Sequence, residues 1–272
     1  MTKITILGCG SSNGVPSVGL GWGQCDPKNP KNRRLRSSIL IEEAGKKILV
    51  DVTPDFRQQA LSHDINHLDA ILFTHAHADH VHGIDDVRWL NVAMGQPIDI
   101  YASAQTISDI DHRFAYVFTP LPDGVAFFFK PVLVPHVISG PFEAAGVPVT
   151  VFSQDHGYCE TLGFKIGKFA YSTDVVDFPE ASKQHLYDLD VWVVDCLRHK
   201  PHNTHAHVDK LLGWVEEFKP KQVYIKIQFV KCFNLRASVS RRGRIWIVRG
   251  KGLRSPMPIS SIIYIMTNNN QP

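Results

Sequence analysis

The chain has 272 residues, 44% hydrophobic and 20% charged, with a net charge of +3; that is room for one large domain or two small ones around a buried core. No apolar run approaches the ~18 residues of a membrane span, and the opening MTKITILGCG reads as a strand entering a glycine loop, not as a signal peptide. The five cysteines are scattered with no CxxC pair, which argues against a disulfide framework or a cysteine-only zinc site and points to the cytoplasm.

In chain order, short apolar, β-branched runs predict strands at 4–7, 38–42, 47–51, 70–74 and 98–101, then at 147–153, 161–166, 169–172, 191–195 and 222–225. Several are hydrophobic throughout, as expected of strands covered on both faces. Pro54 after Thr53 suits a capped helix start leading into 55–61. After Thr204, Val208, Leu211, Leu212, Val215 and Phe218 recur at helical spacing. Two groups of strands with helices between them suggest a layered α/β sandwich.

Directly after the apolar strand at 69–73 stands Thr74-His75-Ala76-His77-Ala78-Asp79-His80. Imidazole and carboxylate are the usual ligands of zinc and similar divalent ions. A loop at a strand end can aim alternate residues at one point and the remaining pair at a neighbouring point, so two adjacent cations can share one short segment. A merely polar, histidine-rich loop is the bland alternative; three imidazoles and a carboxylate within six residues disfavour it.

This HxHxDH pattern resembles the hallmark of the metallo-β-lactamase superfamily, and the order of the other pieces is similar to that family's. The resemblance implies a four-layer αββα sandwich. It implies that Asp51 supports the metal loop, that His75, His77 and His156 hold one metal with Asp174 bridging, and that Asp79, His80 and Asp174 hold a second. The expected cofactor is therefore one or two divalent ions, zinc or manganese. Two such ions can bind a hydroxide between them and clamp a phosphoryl or acyl oxygen; Asp79 is counted with the catalytic residues as well as with the ligands.

The segment Gly8-Cys9-Gly10-Ser11-Ser12-Asn13-Gly14-Val15-Pro16 resembles the start of a phosphodiesterase branch of that superfamily. That branch includes the phosphoribosyl cyclic phosphate phosphodiesterase and is related to the transfer-RNA 3′-processing endonucleases. Arg33, Arg34, Arg36 and Ser37 group guanidinium and hydroxyl donors suited to phosphate oxygens, although a solvated basic loop explains them equally well. His199, His202, His205 and His207 crowd a strand-to-helix junction, where a helix N-terminus favours anions. The resemblance places His205 as general acid for the leaving oxygen, with His202 as a secondary, substrate-binding candidate. The expected function is a metal-dependent phosphodiesterase acting on a small nucleotide-like or cyclic phosphate ester through a metal-bound hydroxide. The alternatives are a thioester or lactone hydrolase of the same fold, or a degenerate metal-holding nucleic-acid binder; nucleic acid is the less favoured partner, and no membrane partner is expected.

The resemblance covers residues 1–225, taken as the hydrolase domain, and leaves 226–272 as an atypical basic tail, frame-shifted or divergent. Residues 1–217 hold 18 Lys and Arg against all 26 Asp and Glu, whereas 218–272 hold 11 Lys and Arg and no acid. Where the family places a Thr-His pair completing the second metal site, this chain has Lys226-Ile227, and no histidine follows His207. A second ion is therefore expected to bind weakly.

Overall fold

The computed structural model describes residues 2–125, 131–227, 244–248 and 263–265. The expected frame-shifted or divergent character of the tail falls mostly outside the described residues. Two sheets of seven strands each stack face to face.

The first sheet contains β1 (Lys3–Gly8), β2 (Ser38–Glu43), β3 (Lys46–Val50), β4 (Ala70–Leu72), β5 (Ile98–Ala102) and β6 (Leu133–Val137). The second contains β7 (Phe142–Ala144), β8 (Val147–Asp155), β9 (Glu160–Ile166), β10 (Phe169–Ser172), β11 (Val191–Cys196) and β12 (Gln222–Ile227). Two strands from the basic tail complete them. β13 (Arg244–Val248) runs parallel to β12, and β14 (Ile263–Ile265) runs antiparallel to β1.

Six α-helices are described: α1 (Phe56–Ser62), α2 (Ala78–Val81), α3 (Ile84–Met94), α4 (Ala104–Phe114), α5 (Glu180–Lys183) and α6 (Val208–Phe218). None is long and apolar enough to cross a membrane.

The layering follows from alternation along strands that are buried on both sides. Ile48 and Val50 of β3 face the second sheet and pack with Phe164, Tyr171 and Val193, while Leu49 between them faces outward onto Phe56, Val81 and Val87. On the far side, Trp192, Val194, Val223 and Ile225 meet Leu211, Trp214 and Phe218 of α6. Each sheet thus has one face on the other sheet and one under helices, giving the four layers αββα. Such strands have no polar face, which is why their sequences are continuous apolar runs.

The expected strands are all present, with ends shifted by a residue or two, and α6 runs Val208–Phe218. Pro54 does not open α1: Asp55 is the N-cap residue, and the Asp55 amide donates to Thr53 Oγ1 at 3.1 Å in a turn preceding the helix. Helices α3 and α4 and strands β6 and β7 were not anticipated. The apolar positions of α3 are diluted by Asp85, Asp86, Arg88 and Asn91. In α4 only Thr106 and Ile110 are buried.

What positions the site is strand direction. β3 and β4 run parallel, as do β10, β11 and β12. β8 shares the direction of β10, because both are antiparallel to β9. Residues 51, 74–80, 156, 174, 195 and 226 therefore all fall at or just past C-terminal strand ends, at one edge of the sandwich. Open α/β sheets place their ligands at that edge.

Candidate metal centre

Asp51 ends β3 in the left-handed region (φ 63°) and is wholly buried. Its carboxylate accepts from the Thr74 amide at 2.8 Å, from Thr74 Oγ1 at 2.9 Å and from His80 Nδ1 at 2.7 Å. The backbone adds two stitches: Val52 N–H donates to the His80 carbonyl at 2.8 Å, and Gly83 N–H to the Val52 carbonyl at 2.9 Å. These bonds hold the histidine loop against β3 and fix which nitrogen each ring presents. His80 uses Nδ1 on Asp51, and His75 uses Nδ1 on Thr74 Oγ1 at 2.9 Å, so both turn Nε2 inward.

His156 follows β8, and its Nδ1 sits 2.7 Å from the Thr204 carbonyl, which again aims Nε2 at the cluster. Asp174 follows β10 in the left-handed region (φ 51°). Its Oδ2 lies 3.9 Å from the Nε2 atoms of both His75 and His156, and 3.5 Å from that of His80. One group of candidate ligands is His75, His77, His156 and Asp174; a second is Asp79, His80 and Asp174. Within each group the ligand atoms lie within 4.8 Å of one another. The metal ligands expected from sequence are thus brought together in full. Four of the six are buried and Asp79 is partly so, whereas His77 is exposed.

The buried groups carry opposed charges. Burial, together with the neighbouring His80, holds the His75 imidazole well below its ordinary range despite Asp174. Burial also lowers His156. Burial acts on His80 in the same sense, but Asp51 and Asp174 outweigh it and raise that ring well above the usual histidine range. Asp174 is held well below the carboxylate range: burial opposes ionisation, and the Lys226 ammonium and His80 overcome it. Neutral imidazoles beside an ionised carboxylate are the protonation states a divalent ion requires. The His75 Nε2 atom is buried without a hydrogen-bond partner, an arrangement that costs free energy unless an ion completes it. The donor set therefore fits a zinc-like metal.

His205 stands beside this cluster, its ring 4.8 Å from that of His156. Its Nδ1 is 2.7 Å from Asp195 Oδ2. Burial alone would lower the His205 ring; the Asp195 carboxylate reverses that and raises it. A cavity of about 370 Å³ opens onto Ser12, His77, Asp79, His156, Asp174 and His205. A second cavity, of about 610 Å³, lies on the other side of His77 and reaches Ser103, Gln105, Arg113 and Glu160.

His202 lies at the rim, its ring 5.4 Å from that of His205, with Nδ1 held by Thr204. The arginine–serine group is not brought to the site. Arg36 is bound by Asp55 at 2.9 Å and by the Ser12 carbonyl at 2.8 Å. Arg34 is buried, with Nη2 3.6 Å from Cys25 Sγ. Arg33 stacks over Trp22, and Ser37 donates to the Gly10 carbonyl. None lines either cavity, so their expected substrate contacts are corrected to a structural role: they bind the glycine loop to the body. The glycines serve the same packing. A Cβ on Gly8 would stand 1.8 Å from the Arg36 carbonyl oxygen, so the close approach is to the chain itself, not to a ligand.

Sequence reasoning gave no site role to Asp195, Thr204 or Ser12, and noted Lys226 only as a departure from the family's Thr-His pair. An aspartate ending an apolar strand was the available signal for Asp195. Cys159 and Cys196 are free thiols; Cys25 is disulfide-bonded, which the cysteine spacing did not foretell.

Comparison with known proteins agrees with this geometry. Residues 46–225 match the family model of the beta-lactamase superfamily domain. A diphosphatase of the PhnP family has a solved structure similar to this one, with a TM-score of 0.81 and 33% identity over 97% of this chain and 98% of that one. A Porphyromonas gingivalis protein named octanoyltransferase is 34% identical over 229 residues, 83% of this chain and 46% of its own length. A ribonuclease Z from a Mycobacterium species is 30% identical over 185 residues, 61% of this chain and 57% of its own. The chain thus spans about half the length of these curated relatives. With HxHxDH after β4, histidine after β8 and aspartate after β10 converging at one sheet edge, and with the family model matching across both sheets, the chain belongs to the beta-lactamase superfamily.

Proposed function

We propose that the chain is a metal-dependent hydrolase whose body, residues 1–225, cleaves a small phosphate ester. The observation that carries this reading is the adjacency of two groups: the ligand set His75, His77, His156 and Asp174, and the His205–Asp195 pair beside it, with His77, His156, Asp174 and His205 lining one cavity. When bound, a divalent ion at the first set supplies Lewis acidity toward a phosphoryl oxygen and toward water. The chain's own residues do the rest. The Asp51 carboxylate and the Thr204 carbonyl fix the orientations of His80 and His156 by accepting hydrogen bonds from their Nδ1–H groups, an outer-shell role that supports ligand geometry. Asp79 stands beside His80 at the inner wall. His205, its ring raised by the Asp195 carboxylate against the effect of burial, faces the cavity as the proton donor to a leaving oxygen. His202 stands next to His205, its ring 5.4 Å away.

The similar diphosphatase and ribonuclease Z both carry names of phosphoryl-transfer enzymes, which supports phosphate over thioester chemistry. The test is hydrolysis of bis(p-nitrophenyl) phosphate by zinc- or manganese-loaded protein, alongside an acyl thioester. The expected outcome is phosphodiester cleavage abolished in the His75→Ala, His77→Ala variant. Thioester cleavage without phosphodiester cleavage would overturn the phosphate assignment.

A further inference from the structure

Lys226 stands out among the buried charges. It is 2% exposed, at the end of β12. Its Nζ donates to Thr173 Oγ1, and to Asp174 Oδ1 at 3.2 Å. Thr173 Oγ1 also donates to the same Oδ1, at 2.7 Å. One oxygen of Asp174 is therefore fully engaged within the protein, and only Oδ2 is turned toward the histidines.

The two ligand groups are unequal in this setting. His75, His77, His156 and Asp174 Oδ2 would offer four donors, three of them imidazoles, a set that suits zinc. Asp79, His80 and Asp174 make three, with Asp174 shared and already neutralised by the ammonium. A divalent ion there would sit beside a buried monovalent cation that has no route to solvent, and charges of like sign repel strongly when water is excluded.

We propose that the Lys226 ammonium takes over the charge-balancing role of a second metal at Asp174, so that this chain holds one divalent ion, at the His75–His77–His156 group. The inference rests on the reading of the cluster as a metal centre, and the experiment separates the two. Protein stripped with chelator and dialysed against zinc is analysed by inductively coupled plasma mass spectrometry and by calorimetric titration. The native chain is expected to bind one zinc tightly, and the Asp79→Asn variant to retain it. The Lys226→Met variant removes the charge at similar volume and is expected to take up a second zinc roughly tenfold or more tighter than any second uptake by the native chain. Circular dichroism melting establishes that the variant folds.

Two zinc ions of comparable affinity in the native chain would overturn the inference while leaving the metal centre standing; this outcome needs no variant. An unchanged stoichiometry in a folded Lys226→Met variant would also overturn it. Absence of zinc from the native chain would overturn both readings.

Discussion

Asp51 illustrates how much a single carboxylate organises. It holds Thr74 and His80 at once, from a left-handed backbone position that aspartate and asparagine tolerate better than other residues. In metal-free protein, Asp51→Ala strands a buried imidazole and a buried amide and should lower stability by about 3–5 kcal/mol. Asp51→Asn keeps the backbone and part of the bonding and should cost less; urea unfolding of both variants checks the order. The His80 ring is raised above its unfolded value, so the stability it contributes is fully present below about pH 6.5 and is lost only as the pH climbs through its elevated folded value. At His205 the same logic governs rate. The raised ring must carry a proton to act as an acid, so kcat/KM should fall as pH rises through its folded value. Asp195→Asn removes the group that raises it, and the falling limb should move to lower pH; an unmoved limb would exclude His205 as the acid. The ligands were legible in the sequence because imidazoles cluster in few places by chance. The arginines at 33–36 were misread because sequence does not show whether a donor is already satisfied, and here Asp55, Ser12 and Trp22 use most of them.

At the scale of elements, the centre depends on how closely α2 and α3 approach the turn after β3. Gly83, at their junction, lies so near that turn that a Cβ would meet the Thr53 carbonyl oxygen at 2.0 Å. Because that neighbour is backbone, relief requires moving the α2 segment away from residues 51–53, and α2 carries Asp79 and His80. Gly83→Ala should therefore destabilise by about 1–3 kcal/mol and weaken metal uptake together, measurable as a lower melting temperature and a weaker zinc isotherm. A loss of stability with the isotherm unchanged would uncouple the two. Strand positions and α6 were readable from apolar periodicity. Helices α3 and α4 were not, because their buried positions are interleaved with Asp, Gln and Arg that face outward and blur the period. Lys226 was legible as a departure from the family's Thr-His pair. That it would be a buried partner of Asp174 depends on β12 lying beside β11, which only the fold reveals.

For the molecule as a whole, the ligands come from three segments spread over some 100 residues and delivered by both sheets: residues 75–80 from the first, His156 and Asp174 from the second. A divalent ion therefore ties the sandwich together across its two halves. The unfolded chain offers only the local HxHxDH segment, so it binds the ion less well, and metal affinity becomes folding stability by linkage. At a free zinc concentration about a hundredfold above Kd, the gain is about 2.7 kcal/mol less whatever the unfolded segment retains. With roughly 2–4 °C per kcal/mol for a chain of this size, zinc should raise Tm by about 5–10 °C over chelated protein. His156→Ala tests the cross-sheet character of that gain, because it leaves the 75–80 segment intact and removes the ligand from the other half. Its shift should shrink to a few degrees or less. If His156→Ala retained the full shift, the ion would be bound by the histidine loop alone, and the two sheets would not be joined through it.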